Sequence, residues 1–313
     1  RALIAEADVL VENFRPGTLE KWGLDPVDLM AADPRLIVVR VSGYGQTGPY
    51  ATRPGYGAIG EAMGGLRAVI GEPDRPPARA GISIGDTLAA TFACIGCLVA
   101  LHARERTGVG QLVDSALYEA VLGVMESLIP EYAISGYVRP RTGSVLPNVA
   151  PANAYPTADG EHLISGNQDT VWRRLAEAMG RPELGDDERY ATHNARGANQ
   201  AELDELIAAW SVGFTSAELE ALLNEHGVPN GKIFTAPDML ADAHFAARRA
   251  IVTMAHPELG EFPMQNVVPK LSATPGEVRW VGPELGEHTA EVLAEVLDMA
   301  GDEVDRLRDA GVV

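Results

Sequence analysis

The stretch Gly108-Val-Gly-Gln-Leu-Val-Asp-Ser-Ala-Leu-Tyr-Glu-Ala-Val-Leu122 joins a glycine-rich turn, an apolar run and the start of a helix. The run ends at Leu117, and apolar residues then recur at three- and four-residue spacing, which predicts a helix. Two carboxylates, Asp114 and Glu119, lie where a buried strand would pass into that helix. A carboxylate is costly to desolvate there unless it is paired or used in chemistry. We therefore interpret these acids either as helix-start residues that meet the helix dipole or as part of an active site.

The composition limits the classes of protein to which the chain can belong. Its 313 residues are 46% hydrophobic and 22% charged, enough for one large domain or two ordinary ones. The formal net charge of -19 argues against nucleic acid and anionic membrane as partners, although a local basic pocket can still bind an anion. No run of 18 uncharged apolar residues and no signal peptide are found, so we expect no membrane span.

Two cysteines, Cys94 and Cys97, form a C-x-x-C pattern inside the apolar, helix-like run from Thr91 to Leu101. No second pair and no nearby histidine accompany them, so we predict two small core residues and neither a redox nor a metal site. The absence of a disulfide framework suits the reducing cytoplasm, which is the expected compartment.

The sequence predicts an α/β fold whose ligand binds at the carboxyl ends of the strands. Residues 7–12 read as a short buried strand, and residues 36–42 form a nearly unbroken β-branched run, typical of a parallel strand covered on both faces. This second strand leads into Gly43-Tyr-Gly-Gln-Thr-Gly48. Open α/β sheets bind their ligands in such loops, but a glycine-rich loop by itself is also an ordinary turn.

The domain organisation follows from the proline-rich connection at residues 139–151. We predict a large domain over residues 1–150 and a small domain over residues 151–265. Residues 266–313 are expected to return and complete the large domain. The first residue is Arg1 and the chain opens in the middle of a helix-to-strand pattern, so we expect it to be the remainder of a longer chain.

Several segments together resemble the family III coenzyme A transferases, the group of formyl-CoA transferase, carnitine CoA-transferase and alpha-methylacyl-CoA racemase. The segments that carry the resemblance are Ala7-Asp-Val-Leu-Val-Glu-Asn-Phe-Arg-Pro-Gly17, Pro34-Arg-Leu-Ile-Val-Val-Arg-Val-Ser-Gly-Tyr-Gly-Gln-Thr-Gly-Pro49, Gly85-Asp86, Thr107 to Glu119, Tyr155-Pro-Thr-Ala-Asp-Gly160 and Gly286-Glu-His-Thr289. The resemblance implies a Rossmann-like large domain, a smaller α+β domain and an interlocked homodimer. The family's front segment has no counterpart in this chain.

The resemblance also implies the chemistry. Family members with transferase activity move coenzyme A (CoA) from an acyl-CoA to a small carboxylic acid through a covalent thioester on an enzyme carboxylate. The nucleophile is usually Asp, and the matching position here is Glu119. A carboxylate is needed because each intermediate must stay close in energy to a thioester. CoA is then a substrate, and no permanently bound cofactor is expected.

Two other functions stay open at this point. A racemase or isomerase would exchange the alpha proton with Asp86, but the family's histidine position is Tyr56, and a phenol with a pKa near ~10 is a poor partner for that exchange. Asp86 can equally cap the helix that follows it. The departure at Glu119 also leaves room for a non-catalytic CoA-binding paralogue.

The resemblance assigns further residues to substrate binding. The positions that match the family's CoA contacts are Asn13, Phe14, Lys21, Gly43 and Tyr44. The positions that match a small-domain loop expected to close over the reacting carboxylate and shield it from water are Gly166, Asn167 and Gln168.

Overall fold

The structure is a computed structural model that describes all 313 residues. The chain divides into two compact units, Arg1–Val145 and Leu146–Val313. The three-part division expected from the sequence, with residues 266–313 returning to the large domain, stays a prediction.

The first unit alternates helices with three strands. Its elements are α1 (Ala2–Ala5), β1 (Val9–Glu12), α2 (Thr18–Lys21), α3 (Pro26–Ala32), β2 (Ile37–Ser42), α4 (Gly57–Met63), α5 (Leu66–Val69), α6 (Ile84–Thr107), β3 (Leu112–Ala116), α7 (Leu117–Leu122) and α8 (Leu128–Ser135). The strands form one parallel sheet in the order β1-β2-β3. The predicted parallel strand at residues 36–42 is confirmed.

Alternation along β2 buries both faces of this sheet. Ile37 and Val39 pack on one face against Ala93 and Ala100 of α6. Leu36 and Val38 lie on the other face with residues of α3 and its neighbours. Because helices cover both faces of the sheet, a ligand can bind only at the ends of the strands. The candidate site lies at their carboxyl ends.

Helix α6 corrects the expectation that the chain holds no candidate membrane span. By length and composition alone it could cross a membrane, because an 18-residue window in it has a mean hydropathy of 1.9. The sequence criterion missed it because the uncharged run from Thr87 to Ala103 is bounded by Asp86 and Arg104 and is shorter than 18 residues, whereas the window tolerates a charged residue. The pair Gln200–Ser211 and Ser216–Glu225, bent by 112°, passes the same test when taken together. The core helices of soluble proteins meet the same criteria of length and composition. These helices are therefore only weak evidence for a membrane protein.

The prediction that both cysteines are core residues was wrong for Cys94. Its side chain is exposed, Cys97 is partly buried, and both thiols are free. A helix that is apolar on all sides lacks the polar stripe that marks the solvent-facing side. The sequence therefore did not reveal which side of α6 is buried.

The second unit has its own antiparallel sheets and core. Its elements are β4 (Ala152–Thr157), β5 (Gly160–Ser165), α9 (Asp169–Ala178), a 3₁₀ turn (Pro182–Gly185), α10 (His193–Ala198), α11 (Gln200–Ser211), α12 (Ser216–Glu225), β6 (Asn230–Lys232), α13 (Ala236–Ala241), α14 (Ala243–Ala247), β7 (Ile251–His256), β8 (Gly260–Gln265), α15 (Thr289–Leu297) and α16 (Gly301–Asp309). The sheets have the orders β4-β5-β6 and β7-β8. Trp172 and Leu203 lie in its fully buried core.

Candidate active site

The candidate site lies in the first unit, at the carboxyl ends of the parallel strands. Glu12, the last residue of β1, pairs in register with Arg40, and Ser42, the last residue of β2, pairs with Ala116. The loops after β1 and β2 and the start of α7 therefore leave the same edge of the sheet side by side. This edge is the usual place for a ligand in a parallel α/β sheet.

A cavity of about 180 Å³ opens at this edge. Four of the predicted site residues line it, namely Asn13, Phe14, Gly43 and Asp86. Tyr56 and Leu117 belong to the same wall. Residues from five separate segments of the sequence thus meet around one small cavity.

Two other predicted CoA-binding residues do not line this cavity. The ring of Tyr44 packs edge-on against Tyr50, with the ring centroids 5.9 Å apart. Lys21 is exposed in the last turn of α2. The structure therefore brings only part of the predicted CoA-binding set together.

Glycine brings the two halves of the cavity wall into backbone contact. A Cβ placed on Gly43 would lie 2.8 Å from the Cα of Gly55, and a Cβ on Gly55 would lie 2.9 Å from the Cα of Gly43. Such distances are too short for any side chain at either position. The pair of glycines therefore holds the loop after β2 against the segment that carries Tyr56.

Asp86 lies in the first turn of α6 and contacts the backbone of α4. A Cβ on Gly57 would come within 2.0 Å of the Asp86 Oδ2 atom, so a larger residue there would force the carboxylate out of its present position. The neighbouring Tyr56 is 80% exposed. The side chain at the family's histidine position is thus an open phenol, which does not favour the racemase hypothesis.

Glu119 is exposed in the first turn of α7 and does not line the cavity. Leu117, two residues earlier, is part of the cavity wall. The hydroxyl of Tyr118 donates a hydrogen bond of 3.0 Å to Oε1 of Glu119. This hydrogen bond, with a smaller contribution from burial, raises the pKa of Tyr118. The predicted nucleophile therefore lies outside the cavity lining, two residues after Leu117 of its wall, and has one oxygen held by its neighbour.

Asp114, the other carboxylate of the opening stretch, has a structural role. Its Oδ2 atom accepts a hydrogen bond of 2.8 Å from the backbone N–H of Gln46. The preceding residue, Gly45, has a φ of +83°, which glycine adopts at little cost. Asp114 thus stabilises the loop after β2 by a hydrogen bond. The sequence alone did not distinguish this structural role from a catalytic one.

A buried ion-pair cluster below the cavity escaped the sequence reading. The Glu12 carboxylate accepts the backbone N–H of Phe14 at 2.7 Å and pairs with Arg40. Arg40 also donates to Glu20 at 2.9 Å. Burial alone would raise the pKa of Glu20, but hydrogen bonds from the backbone and from Arg40 outweigh it, so the pKa is lowered. The signal in the sequence was a charged residue at matching positions of two buried parallel strands.

The predicted loop Gly166–Gln168 lies in the second unit and is organised by a buried arginine. Arg196 is fully buried, and it donates to the carbonyl of Asn167 and to the carboxylate of Asp169, each at 2.7 Å. The bond from Arg196 lowers the pKa of Asp169. Gln168 occupies the N-cap position of α9, although its side chain makes no capping hydrogen bond. Sequence reasoning missed Arg196, which lies 29 residues from Asn167.

Comparison with known proteins adds an independent finding. The family described as CoA-transferase family III matches residues 1–289. The chain is 57% identical to a succinyl-CoA–D-citramalate CoA-transferase of Chloroflexus aurantiacus, covering 100% of this chain and 78% of that one. It is 35% identical to a succinate–glutarate CoA-transferase of Agrobacterium fabrum, over 95% of this chain and 74% of that one. A crystal structure of a CAIB/BAIF family protein from Brucella suis matches with a TM-score of 0.81 and 37% identity, covering 94% of this chain and 77% of that one.

Proposed function

The chain belongs to CoA-transferase family III and is a CoA-transferase, and we propose that it moves CoA from succinyl-CoA to a dicarboxylic acid such as citramalate. The covalent carrier that we propose is the carboxylate of Glu119. One observation carries this proposal: Asn13, Phe14 and Gly43 line a single cavity with Asp86, and the helix that bears Glu119 begins in its wall.

The proposed reaction begins with attack of a Glu119 oxygen on the thioester carbonyl of the donor. The C–S bond breaks, CoA leaves as a thiolate, and a mixed anhydride joins the acyl group to Glu119. The thiolate then attacks the carbonyl carbon of Glu119, the anhydride C–O bond breaks, and the donor acid leaves as a carboxylate. The enzyme now carries CoA as a glutamyl thioester.

The acceptor carboxylate then takes over the CoA by the same two steps in reverse. It attacks the glutamyl thioester, forms a second anhydride and releases the thiolate, which attacks the acyl carbon of the acceptor. Glu119 is regenerated as a carboxylate and no proton is consumed overall. The loop Gly166–Gln168 is proposed to keep water from the anhydride during these steps.

Asp86 has a different proposed role. Its carboxylate faces the same cavity, and the hydrogen bonds that it can accept would orient an acyl group or the pantetheine amide. Asn13, Phe14, Lys21, Gly43 and Tyr44 keep their proposed role in binding CoA.

The covalent step can be tested by trapping. The protein is incubated with succinyl-CoA and then with hydroxylamine, and the modified peptide is identified by mass spectrometry. We expect a hydroxamate at Glu119 and none after incubation with free CoA. A modification at Asp86 or Asp114, with Glu119 unmodified, would contradict the assignment.

We also propose that two copies form the interlocked homodimer of Rossmann-like large domains and small α+β domains that the resemblance implies. Helix α6 leaves an apolar stripe open, with Ile95, Leu98 and Val99 between 50% and 61% exposed. Contiguous apolar surface of this kind marks an interaction site. Light scattering on a sizing column should give the mass of two chains, and the mass of one chain would contradict the proposal.

The compartment that we propose is the cytoplasm. Its reducing conditions suit the free thiols of Cys94 and Cys97.

A further inference from the structure

Arg196 of α10 is the most deeply buried charged side chain near the loop Gly166–Gln168. It is 0% exposed, whereas the other buried arginines, Arg40 and Arg104, are 5% and 8% exposed. Its guanidinium donates to three main-chain carbonyls, those of Ala150 at 3.0 Å, Tyr190 at 2.8 Å and Asn167 at 2.7 Å. Its carboxylate partner is Asp169, at 2.7 Å. Arginine is almost never fully buried unless its charge and its donors are satisfied in this way.

The main chain of the loop is bonded at each of its three residues. The N–H of Gly166 donates to the carbonyl of Pro151 at 2.8 Å, and the carbonyl of Gln168 accepts the N–H of Trp172 at 2.8 Å. The carbonyl of Asn167, between them, accepts from Arg196 and also from Nδ1 of His193, at 3.2 Å. Arg196 therefore provides the shorter of the two bonds that hold the middle of the loop.

The cost of burial indicates what the ion pair contributes. A buried ion pair adds little net stability, because the cost of removing both charges from water offsets their attraction. What this pair does fix is geometry, since one guanidinium addresses the carbonyl of Asn167 and the carboxylate of Asp169 with the same nitrogen, Nη2. The carboxylate side of the pair is open to solvent, because the side chain of Asp169 is 46% exposed.

We propose that Arg196 is a positioning residue for the proposed reaction and holds the loop Gly166–Gln168 in the conformation that keeps water from the Glu119 anhydride. This inference rests on the proposed function and deepens it. Arg196 touches no substrate and acts through the carbonyl of Asn167 and the carboxylate of Asp169. Without these contacts the loop keeps its bond to Pro151 but can open at Asn167.

Opening of the loop has a defined chemical consequence. Water attacks the succinyl carbon of the anhydride, the C–O bond to Glu119 breaks, and succinate leaves. Glu119 returns as a carboxylate, one proton of the water goes to the CoA thiolate and the other goes to solvent. The net reaction is hydrolysis of succinyl-CoA to succinate and free CoA. A defect in folding or in CoA binding would lower hydrolysis and transfer alike, so the ratio of the two rates reports the state of the loop.

The test measures this ratio in Asp169→Asn and in a matched control, Asp187→Asn. Free thiol released from succinyl-CoA without an acceptor gives the hydrolysis rate, and citramalyl-CoA formed with citramalate gives the transfer rate. Asp169→Asn should raise the hydrolysis-to-transfer ratio about 10-fold, because an amide binds the buried guanidinium more weakly than a carboxylate does. Asp187 also pairs with an arginine at 2.7 Å in the same unit but forms no hydrogen bond with the loop, so its variant should keep the wild-type ratio.

Arg196→Lys gives a second, stronger perturbation. Lysine keeps the charge but loses the planar fork, so it cannot serve Asn167 and Asp169 together, and we expect the ratio to rise by more than in Asp169→Asn. Urea unfolding shows whether this buried variant folds. If it does not fold, Asp169→Asn decides the question, because its half-exposed side chain can be changed without leaving a buried cavity.

The outcomes separate this inference from the proposed function. A folded Asp169→Asn with the wild-type ratio would overturn the inference, and so would an equal rise in Asp187→Asn, since both would deny the loop contacts a specific effect. Transfer by the wild type and trapping at Glu119 would stand in either case. In the double variant Glu119→Gln with Asp169→Asn, hydrolysis should disappear. Hydrolysis that continues there would contradict Glu119 as the carrier and, with it, this inference.

Discussion

The hydroxyl of Tyr118 lies 3.0 Å from Oε1 of Glu119, its neighbour in the first turn of α7. Since a phenol can donate only one hydrogen bond, it holds one carboxylate oxygen and leaves Oε2 open. In a nucleophile, such a contact fixes the direction of the attacking oxygen. The same contact favours the protonated phenol, which is why the pKa of Tyr118 is raised.

Replacing Glu119 with Gln should let Tyr118 ionise at lower pH. The amide removes both the charged acceptor of the hydrogen bond and the repulsion that opposes the phenolate. The stabilisation that this contact gives the fold is present below the unfolded pKa of about 10 and is lost as the pH rises through the higher folded value. An ultraviolet titration of tyrosinate measures the shift, with Tyr118→Phe as the baseline. Identical titrations for the wild type and Glu119→Gln would show that the contact does not form in solution.

Two substitutions at Glu119 should show separately whether catalysis requires a carboxylate and whether it requires that carboxylate at its present distance from the backbone. Glu119→Gln should lower kcat by at least about 10³-fold, because the amide cannot form the anhydride. Glu119→Asp keeps the carboxylate but withdraws it by one methylene, and we expect a loss of between about 10- and 100-fold. Single-turnover release of the donor acid measures both effects. A Gln variant with the wild-type rate would rule out Glu119 as the carrier.

Removing Glu12 should weaken substrate binding as well as the fold. Glu12→Ala leaves Arg40 with one partner and frees the N–H of Phe14, so we expect a loss of about 3 kcal/mol in the free energy of unfolding and a KM for acyl-CoA raised about 5-fold. Glu20→Ala is the matched control, because Glu20 also pairs with Arg40 but does not contact Phe14. Urea unfolding and initial rates give the two quantities. An equal rise of KM in both variants would argue against a positioning role for Glu12.

A methyl group at Gly64 should disturb the helix that carries Glu119. Its Cβ would lie 2.6 Å from the Cβ of Val121 and 2.7 Å from the carbonyl oxygen of Tyr118. Gly64→Ala should cost about 1–3 kcal/mol of stability by overpacking, and it should lower kcat as α7 shifts. Gly301→Ala serves as the control, since a Cβ there meets no atom within 4 Å. If both variants keep full kcat, the packing of α4 on α7 does not control the position of the nucleophile.

Local patterns in the sequence predicted the elements well. The β-branched run at residues 36–42 contains β2, and the apolar run at residues 7–12 contains β1. Both predictions depend on residue types and periodicity within a few positions, which the sequence displays directly. The exposure of Cys94 was missed, because a uniformly apolar helix does not show which of its faces meets the sheet.

What the sequence by itself determined was the α/β class, the loops at the strand ends and, through its motifs, the family and a first set of site residues. Only the tertiary structure placed Arg53 in the same wall as Asn13, joined Glu12 to Arg40, and set the Tyr118 hydroxyl against Glu119. Glu12 and Arg40 are 28 residues apart, and they meet because parallel pairing of β1 and β2 fixes their register. The physical reason is that local periodicity decides secondary structure, whereas the charges that meet in a site are decided by how distant strands and helices pack.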